Sequence, residues 1–391
     1  MEKPIALYGD PAVVVQFSKI IMDDANKRGE SIIALNKERN GRNFVCNIYN
    51  NIENKKVFSG LEGIKICDIQ KVKRNSEIIK KIYVVGDGVE ATDSALELLG
   101  CGLDKKKICI IPGNVIKAEY NILSQWENAK QNHNLLNQKP ILRYIEYHVT
   151  DFCNLKCKGC GHHSNEVKEL EFDDIDTFKK SLYRLSEVFA NIEVFRLMGG
   201  EPLLNKELGK YIDILHKVFP WCNIKVVTNG LLYKNISDEM VNSIKEANAV
   251  VQVTQYPPTR KIIGQLIDLA EKKDIKIEID PPVKEFYETI ALENDTTLFC
   301  WENCSSRNCH FLRRGILYPC VAVWTHYAFY EDKQYKIDKK THDKFSWNLL
   351  NNVESDGWDI IQQLERPFYV CKLCGSKKRN FKWSSETVKE V

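Results

Sequence analysis

The chain has 391 residues, enough for two or three domains that each bury a core, and its 43% hydrophobic and 28% charged composition is that of a globular protein. A formal net charge of +3 provides no broad basic surface, which speaks against nucleic-acid binding, and no run of 18 or more apolar residues suggests a membrane span. The start, Met-Glu-Lys-Pro, runs into a strand-like segment without a signal-peptide core, so the expected location is cytoplasmic.

Residues 1–125 read as a Rossmann-like α/β domain. The apolar run Pro4–Tyr8 ends at Gly9-Asp10-Pro11 and leads into a helical stretch through Ala25. A second unit starts with Ile82–Gly86, turns at Asp87-Gly88, continues as a helix through Leu99 and closes with the strand Ile108–Ile111. Strand, glycine turn, helix, strand is the pattern of a parallel sheet. Residues 86–91, Gly-Asp-Gly-Val-Glu-Ala, reproduce only the first half of a dinucleotide fingerprint, so a structural or partner-binding role competes with a nucleotide site. Residues 126–140 are polar and read as a linker.

From 141 to 295 the alternation is regular and predicts a full or partial (β/α) barrel. Strands are expected at Ile141–Thr150, Val194–Met198, Ile224–Thr228, Ala249–Thr254 and Ile275–Ile279. Helical faces are expected from Ile175 to Phe189, Leu208 to Val218 and Ile262 to Glu271, with Ser237 capping a shorter helix. Beyond 296 the periodicity fades into a small cysteine-rich region running to 391.

Fourteen cysteines in a cytoplasmic chain call for a reason other than disulfides. Cys46, Cys67, Cys101, Cys109 and Cys222 are scattered singly in apolar or strand-like stretches and read as inert buried thiols. The others form three groups: Cys153/157/160, Cys300/304/309/320 and Cys371/374. Grouped thiols bind metal. Cys153, Cys157 and Cys160 have the spacing C-x3-C-x2-C directly after the first barrel strand. Three thiolates on one loop hold three irons of a [4Fe–4S] cluster and leave the fourth iron open to a small chelating ligand. A structural zinc site completed by His162 or His163 is the competing reading.

This spacing resembles the signature of the radical S-adenosylmethionine (SAM) superfamily. The resemblance implies a radical SAM core in which the unique iron is chelated by SAM. An electron then breaks the C5′–S bond, and a 5′-deoxyadenosyl radical abstracts hydrogen from substrate. Gly199-Gly200-Glu201-Pro202 after the second strand is similar to the family's GGEP motif, which contacts the SAM amino group. Glycines let backbone approach a ligand closely, and a carboxylate can pair with an ammonium. Thr228 and Asn229, ending the third strand in Thr-Asn-Gly, resemble a further SAM-facing turn, and Thr254 and Gln255 end the fourth where ribose contacts are expected. One departure concerns the residue before the third cysteine. It is often aromatic and packs near adenine in the family, but here it is Gly159, and His162 or His163 is expected in that place.

Cys304-x10-Gly315-x4-Cys320, followed by Cys371-x2-Cys374-Gly375, resembles the twitch, or shortened SPASM, extension of the same superfamily, which implies one auxiliary [4Fe–4S] cluster. Cys309 to Cys320 reads as a β-hairpin with a ligand at its end. Cys320, Cys371 and Cys374 need a fourth partner, for which Cys300, Cys304 and Cys309 compete, with Cys304 favoured and Cys309 retained. A zinc ribbon is the alternative for this region alone.

The expected function is hydrogen abstraction from a small polar substrate, perhaps a sugar or nucleotide-linked molecule, giving oxidation or epimerisation. An external electron donor such as flavodoxin or ferredoxin is implied, with no nucleic-acid or membrane partner. A peptide-modifying maturase forming thioether or carbon–carbon bonds is the alternative, although the βαβ reading of residues 1–125 does not resemble a leader-binding domain. A non-catalytic iron–sulfur or zinc protein is a third reading, which leaves the two SAM-like turns unexplained.

Overall fold

The computed structural model describes residues 5–9, 32–36, 65–68, 79, 81–86, 88–112, 139–330, 335–351 and 355–387. The helix expected through Ala25, the Asp10-Pro11 and Asp87 turn positions, Cys46 and most of the 126–140 linker lie outside them. The chain divides into two compact units, residues 1–141 and 142–391.

In the first unit, strands β1 (Ile5–Gly9), β2 (Ile32–Asn36), β3 (Lys65–Asp68), β4 (Lys81–Gly86) and β5 (Ile108–Pro112) form one sheet in the order β3-β2-β1-β4-β5, every pair parallel. Ala6, Leu7, Ile82 and Val84 are fully buried along the two central strands. Helix α1 (Gly88–Gly100) packs Ala91, Ala95 and Leu98 inward; the spacing of four and three puts them on one stripe. Cys109 is buried and Cys101 half-buried, and Cys67 lies in β3.

The second unit is built on an eight-stranded sheet. Its strands are β6 (Ile141–Thr150), β8 (Asn191–Gly199), β9 (Asn223–Thr228), β10 (Val250–Val253), β11 (Ile277–Ile279), β13 (His310–Arg313), β14 (Ile316–Tyr318) and β15 (Trp347–Asn348). The order is β11-β10-β9-β8-β6-β13-β14-β15, with β8 to β11 pairing in parallel. All five expected strands are present.

The crossovers are α2 (Ile175–Val188), α3 (Leu208–Val218), α4 (Asp238–Glu246) and α5 (Ile263–Lys273). Asp174 caps α2 through the Thr177 N–H, and Ser237 caps α4 through the Met240 N–H, as its position predicts. Apolar residues three and four apart face the sheet, among them Phe178, Leu182 and Leu185 of α2, whose Phe178 ring meets Tyr147 of β6 at 4.5 Å.

After β11 the chain adds strand β12 (Glu285–Ile290), helix α6 (Thr297–Glu302), the antiparallel β13–β14 hairpin and helix α7 (Val321–Ala328). Then follow helices α8 (Gly357–Leu364) and α9 (Tyr369–Cys374) and strands β16 (Lys377–Lys382) and β17 (Ser385–Thr387). Arg314 and Gly315, both at positive φ, make the hairpin turn expected between Cys309 and Cys320. β13 pairs in parallel with β6, His310 beside Ile145, so the cysteine-rich region and the barrel strands share one sheet. β16 pairs antiparallel with β12.

Candidate functional site

The first cysteine group follows β6 and contains the short strand β7 (Leu155–Cys157). Cys153 and Cys157 are buried and Cys160 half-buried, and the three pack with Leu155, Leu231, Tyr256, Phe286 and Trp383. The Leu155 N–H donates to Cys153 Sγ at 3.4 Å. Burial first, then the Glu201 carboxylate and the other two thiols, push Cys153 up to about 12. Burial and Cys160 also raise Cys157. Three mutually opposed thiols in a buried loop are costly to ionise without cations among them, and that donor set suits a polynuclear iron centre. No three His, Cys, Asp or Glu side chains among the described residues converge on a point that suits a single metal ion.

Behind the loop, Gly199 and Gly200 carry the close approach expected of them, but to the protein's own backbone. A Cβ on Gly199, which sits at φ 134°, would lie 2.0 Å from the Thr150 carbonyl oxygen, and one on Gly200 would lie 2.0 Å from that of Phe152. The Gly200 and Glu201 N–H groups donate to these same two carbonyls at 2.8 and 2.9 Å. The Glu201 side chain, fully buried, accepts the Thr228 hydroxyl at 2.7 Å, the Leu203 N–H at 3.0 Å and the Asn229 N–H at 2.9 Å. Burial pushes Glu201 up to about 7 against the pull of these three donors. Pro202 opens the 3-10 turn that follows.

Asn229 reaches the cysteine loop, its Nδ2 donating to Asn154 Oδ1 at 2.7 Å and lying 3.8 Å from Cys153 Sγ. Its carbonyl accepts the Thr259 hydroxyl at 2.6 Å. Thr254 and Gln255 converge on Asp280, which follows β11: Thr254 Oγ1 donates to Oδ2 at 3.3 Å and Gln255 Nε2 to the backbone oxygen at 2.6 Å. Asp280, which the sequence does not single out, also accepts Gln252 Nε2 at 2.8 Å.

His162 and His163 take other places than the one expected beside Gly159. His162 turns to the buried His148, Nδ1 to Nε2 at 2.9 Å, and His163 meets Tyr330 edge-on at 4.6 Å. The ring over Gly159 belongs to Phe381 of β16, whose tip would be 2.4 Å from a Cβ built there. Gly159 is at φ 68°, and its missing side chain makes room for that ring.

A buried network supports the loop from below. Arg313, 1% exposed, donates to Asp151 at 2.9 and 3.2 Å and pairs with Asp173 at 3.1 Å, while His148 Nδ1 lies 2.6 Å from Asp151. Burial works against the Asp151 charge, but His148 and Arg313 outweigh it and hold the carboxyl at about 2. The sequence offered no signal for this network, because Arg313 lies 162 residues from Asp151. A cavity of about 410 Å³ opens beside Asp151 and Phe152 and is further lined by Lys168, Arg314, Trp324 and Phe329.

In the second cysteine group, Cys320 precedes α7 and is raised by burial first, then by Cys371, Cys374 and Cys304. Cys371 likewise feels Cys304, Cys374 and Cys300. Cys300 is hydrogen-bonded to Asp295, which also accepts the Ser376 hydroxyl at 2.6 Å. Cys309 faces Glu146 and Arg196, with Cys304 its weakest influence. Cys374 Sγ lies 3.3 Å from Thr289 Oγ1, and a Cβ on Gly375, which sits at φ 82°, would lie 2.2 Å from the Ile290 carbonyl carbon.

Residues 147–258 match the Radical SAM superfamily model. The chain carries a radical SAM domain. The superfamily uses a [4Fe–4S] cluster and SAM, and these are the cofactors of the domain. The matched span runs from Tyr147 through the cysteine loop and the 199–202 and 228–229 turns to Pro258.

Among curated proteins, the chain is 25% identical over 167 residues to a GTP 3′,8-cyclase of Campylobacter jejuni subsp. doylei, covering 39% of this chain and 48% of the relative. It is 29% identical over 143 residues to the Aquifex aeolicus GTP 3′,8-cyclase, covering 35% and 43%. The chain thus spans about half the length of these relatives. Among solved structures, it is similar to BtrN in complex with AdoMet and 2-DOIA at 18% identity and a TM-score of 0.35, covering 60% of this chain and 93% of that one. It is also similar to native anSMEcpe with bound AdoMet at 20% identity and a TM-score of 0.29, covering 36% and 43%. No helix among the described residues is long and apolar enough to cross a membrane.

Proposed function

We propose that residues 142–391 are a radical SAM enzyme in which Cys153, Cys157 and Cys160 hold the [4Fe–4S] cluster and the turns at 199–202, 228–229 and 254–255 bind SAM. The observation that carries this reading is the packing of the three cysteines in one cluster beside the turns joined by Glu201. When bound, cluster and SAM supply a 5′-deoxyadenosyl radical that takes a hydrogen atom from substrate.

The chain's own groups bind and orient. Gly199 and Gly200 seat the second strand against the cysteine loop, and Glu201 locks the turns after β8 and β9 in register. Asn229 fixes Asn154 within that loop, and Asp280 steadies Thr254 and Gln255. Phe381 supplies the ring that Gly159 lacks. Cys304, Cys320, Cys371 and Cys374 form the favoured auxiliary set, twitch-like in pattern; Cys300, hydrogen-bonded to Asp295 and within electrostatic reach of Cys371 and Cys374, and Cys309 are the competing fourth ligands.

The substrate is a small polar molecule, oxidised or epimerised in the cavity beside Phe152, whose size suits a metabolite. A nucleotide-linked substrate is supported by the relatives named GTP 3′,8-cyclase. The Rossmann-like reading of residues 1–125 is supported by the order β3-β2-β1-β4-β5, which reverses direction between β1 and β4 as in nucleotide-binding sheets. A cytoplasmic flavodoxin or ferredoxin is the proposed electron donor. Anaerobic reconstitution with iron and sulfide, followed by dithionite and SAM, tests the reading. 5′-Deoxyadenosine is expected even without substrate, and its complete absence from iron-loaded protein overturns the assignment.

A further inference from the structure

Strand β17 stays outside the main sheet and pairs antiparallel with β7, inside the cysteine loop. Ser385 stands opposite Cys157, Glu386 opposite Lys156 and Thr387 opposite Leu155. The Lys158 N–H donates to the Ser384 carbonyl at 3.0 Å and extends the pairing. Residues directly opposite in an antiparallel pair present their side chains on the same face, so the Ser385 hydroxyl is a neighbour of Cys157 Sγ.

Trp383 belongs to the same contact. Its ring packs on Cys153, Leu155 and Cys157 and stacks on Tyr256 with centroids 5.6 Å apart and planes 24° apart. Its backbone N–H is held by the Lys284 carbonyl at 3.2 Å. The indole Nε1 is buried with no hydrogen-bonded partner, whereas a buried indole N–H ordinarily finds an acceptor. The unsatisfied indole N–H of Trp383, packed against the cluster that contains Cys157, and the Ser385 hydroxyl, opposite Cys157 in the strand pair, therefore flank its sulfur.

We propose that the 383–385 segment is the outer shell of the first cluster, with the Trp383 N–H and the Ser385 hydroxyl donating to the Cys157 thiolate and setting the cluster's reduction potential. The inference rests on Cys157 being an iron ligand. Reduction adds negative charge to the cluster, and donors aimed at a ligating sulfur stabilise the reduced form more than the oxidised one. Removing them makes the cluster harder to reduce. Trp383 and Ser385 are positioning residues here, since they act through Cys157.

The test is an EPR-monitored redox titration of the reconstituted full-length protein with Trp383→Phe, Ser385→Ala and the double substitution, with iron counted in each. Trp383→Phe keeps an aromatic ring for Tyr256 and removes the N–H. Full iron with a midpoint shifted to more negative potential in each single variant, and further in the double, is the expected result. A midpoint equal to wild type in fully loaded variants overturns the inference and leaves the cluster assignment intact. Should Trp383→Phe shed its iron, Ser385→Ala decides by the same midpoint criterion. Failure of the wild-type chain to take up iron at Cys153, Cys157 and Cys160 overturns the assignment itself, and the inference with it.

Discussion

The buried carboxylate of Glu201 accepts the backbone N–H of Asn229 at 2.9 Å and thereby ties the turn after β8 to the turn after β9. The second oxygen is occupied by Thr228 and Leu203. A glutamine here must place an amide N–H₂ against at least one backbone N–H, so the substitution that preserves shape does not preserve bonding. Glu201→Gln is expected to lower the stability of the iron-free protein by about 1–3 kcal/mol. A denaturation midpoint in urea equal to wild type would contradict this.

The same carboxyl sets a pH dependence. Its folded-state value of about 7 lies above the ordinary 4.5, so the native state holds a proton that the unfolded chain has lost. That contribution to stability is complete below about 4.5 and fades as pH rises to about 7. Urea unfolding of the iron-free protein across this window should show the loss in wild type and a flatter profile in Glu201→Gln. Binding of a cationic ammonium beside Glu201 should also release a proton below pH 7, which calorimetry in buffers of different ionisation enthalpy detects.

Glycine positions around the loop separate backbone contact from open space. Gly199→Ala and Gly200→Ala drive a Cβ to 2.0 Å from a carbonyl oxygen, and Gly199 adds a positive φ, so each should cost about 4 kcal/mol or more, or prevent folding. Gly161, beside Cys160, has nothing within 4 Å of a built Cβ. Gly161→Ala should stay within about 0.5 kcal/mol of wild type. Thermal melts of the three variants check the contrast, and similar melting for Gly161→Ala and Gly200→Ala would defeat it.

Arg313 joins the β13–β14 hairpin to the residues preceding the cysteine loop. Removing its charge strands Asp151 and Asp173 in the interior, and Arg313→Met should cost about 3–5 kcal/mol near neutral pH. Asp151, depressed to about 2, supplies stability that is present above its ordinary 3.8 and lost as pH falls through about 2. The deficit of the variant should therefore shrink in acid, as chemical denaturation at pH 7 and pH 3 would show.

Iron counting distinguishes the ligand sets. A Cys153/157/160→Ala triple variant should retain about four irons in the auxiliary site. Cys304→Ala should lose auxiliary iron, while Cys300→Ala and Cys309→Ala keep it. Loss with Cys309→Ala and retention with Cys304→Ala would reverse the assignment of the fourth ligand.

The barrel strands and their turns were legible because apolar alternation and local spacing encode them directly; Ile141–Thr150 and the Ser237 cap lie where the pattern places them. The cysteine triplet stands out in the sequence for the same reason, since its members are close along the chain. The glycines at 199 and 200 were readable as points of close approach, but sequence does not say what approaches, and the partner is the backbone of Thr150 and Phe152. Phe381 over Gly159, Arg313 under Asp151 and Ser385 beside Cys157 depend on contacts between segments far apart in the chain, and no local pattern announces them.

The pairing of β13 with β6 carries a further consequence. Cutting the chain before residue 296 would strip the neighbour from β6 and leave that strand's backbone groups open along the side bordering the cysteine loop. An uncovered strand edge recruits other chains, so a shortened protein should gather into oligomers or precipitate even with every radical SAM motif present. The residues beyond 296 act as a seam for the sheet that carries the first cysteine group.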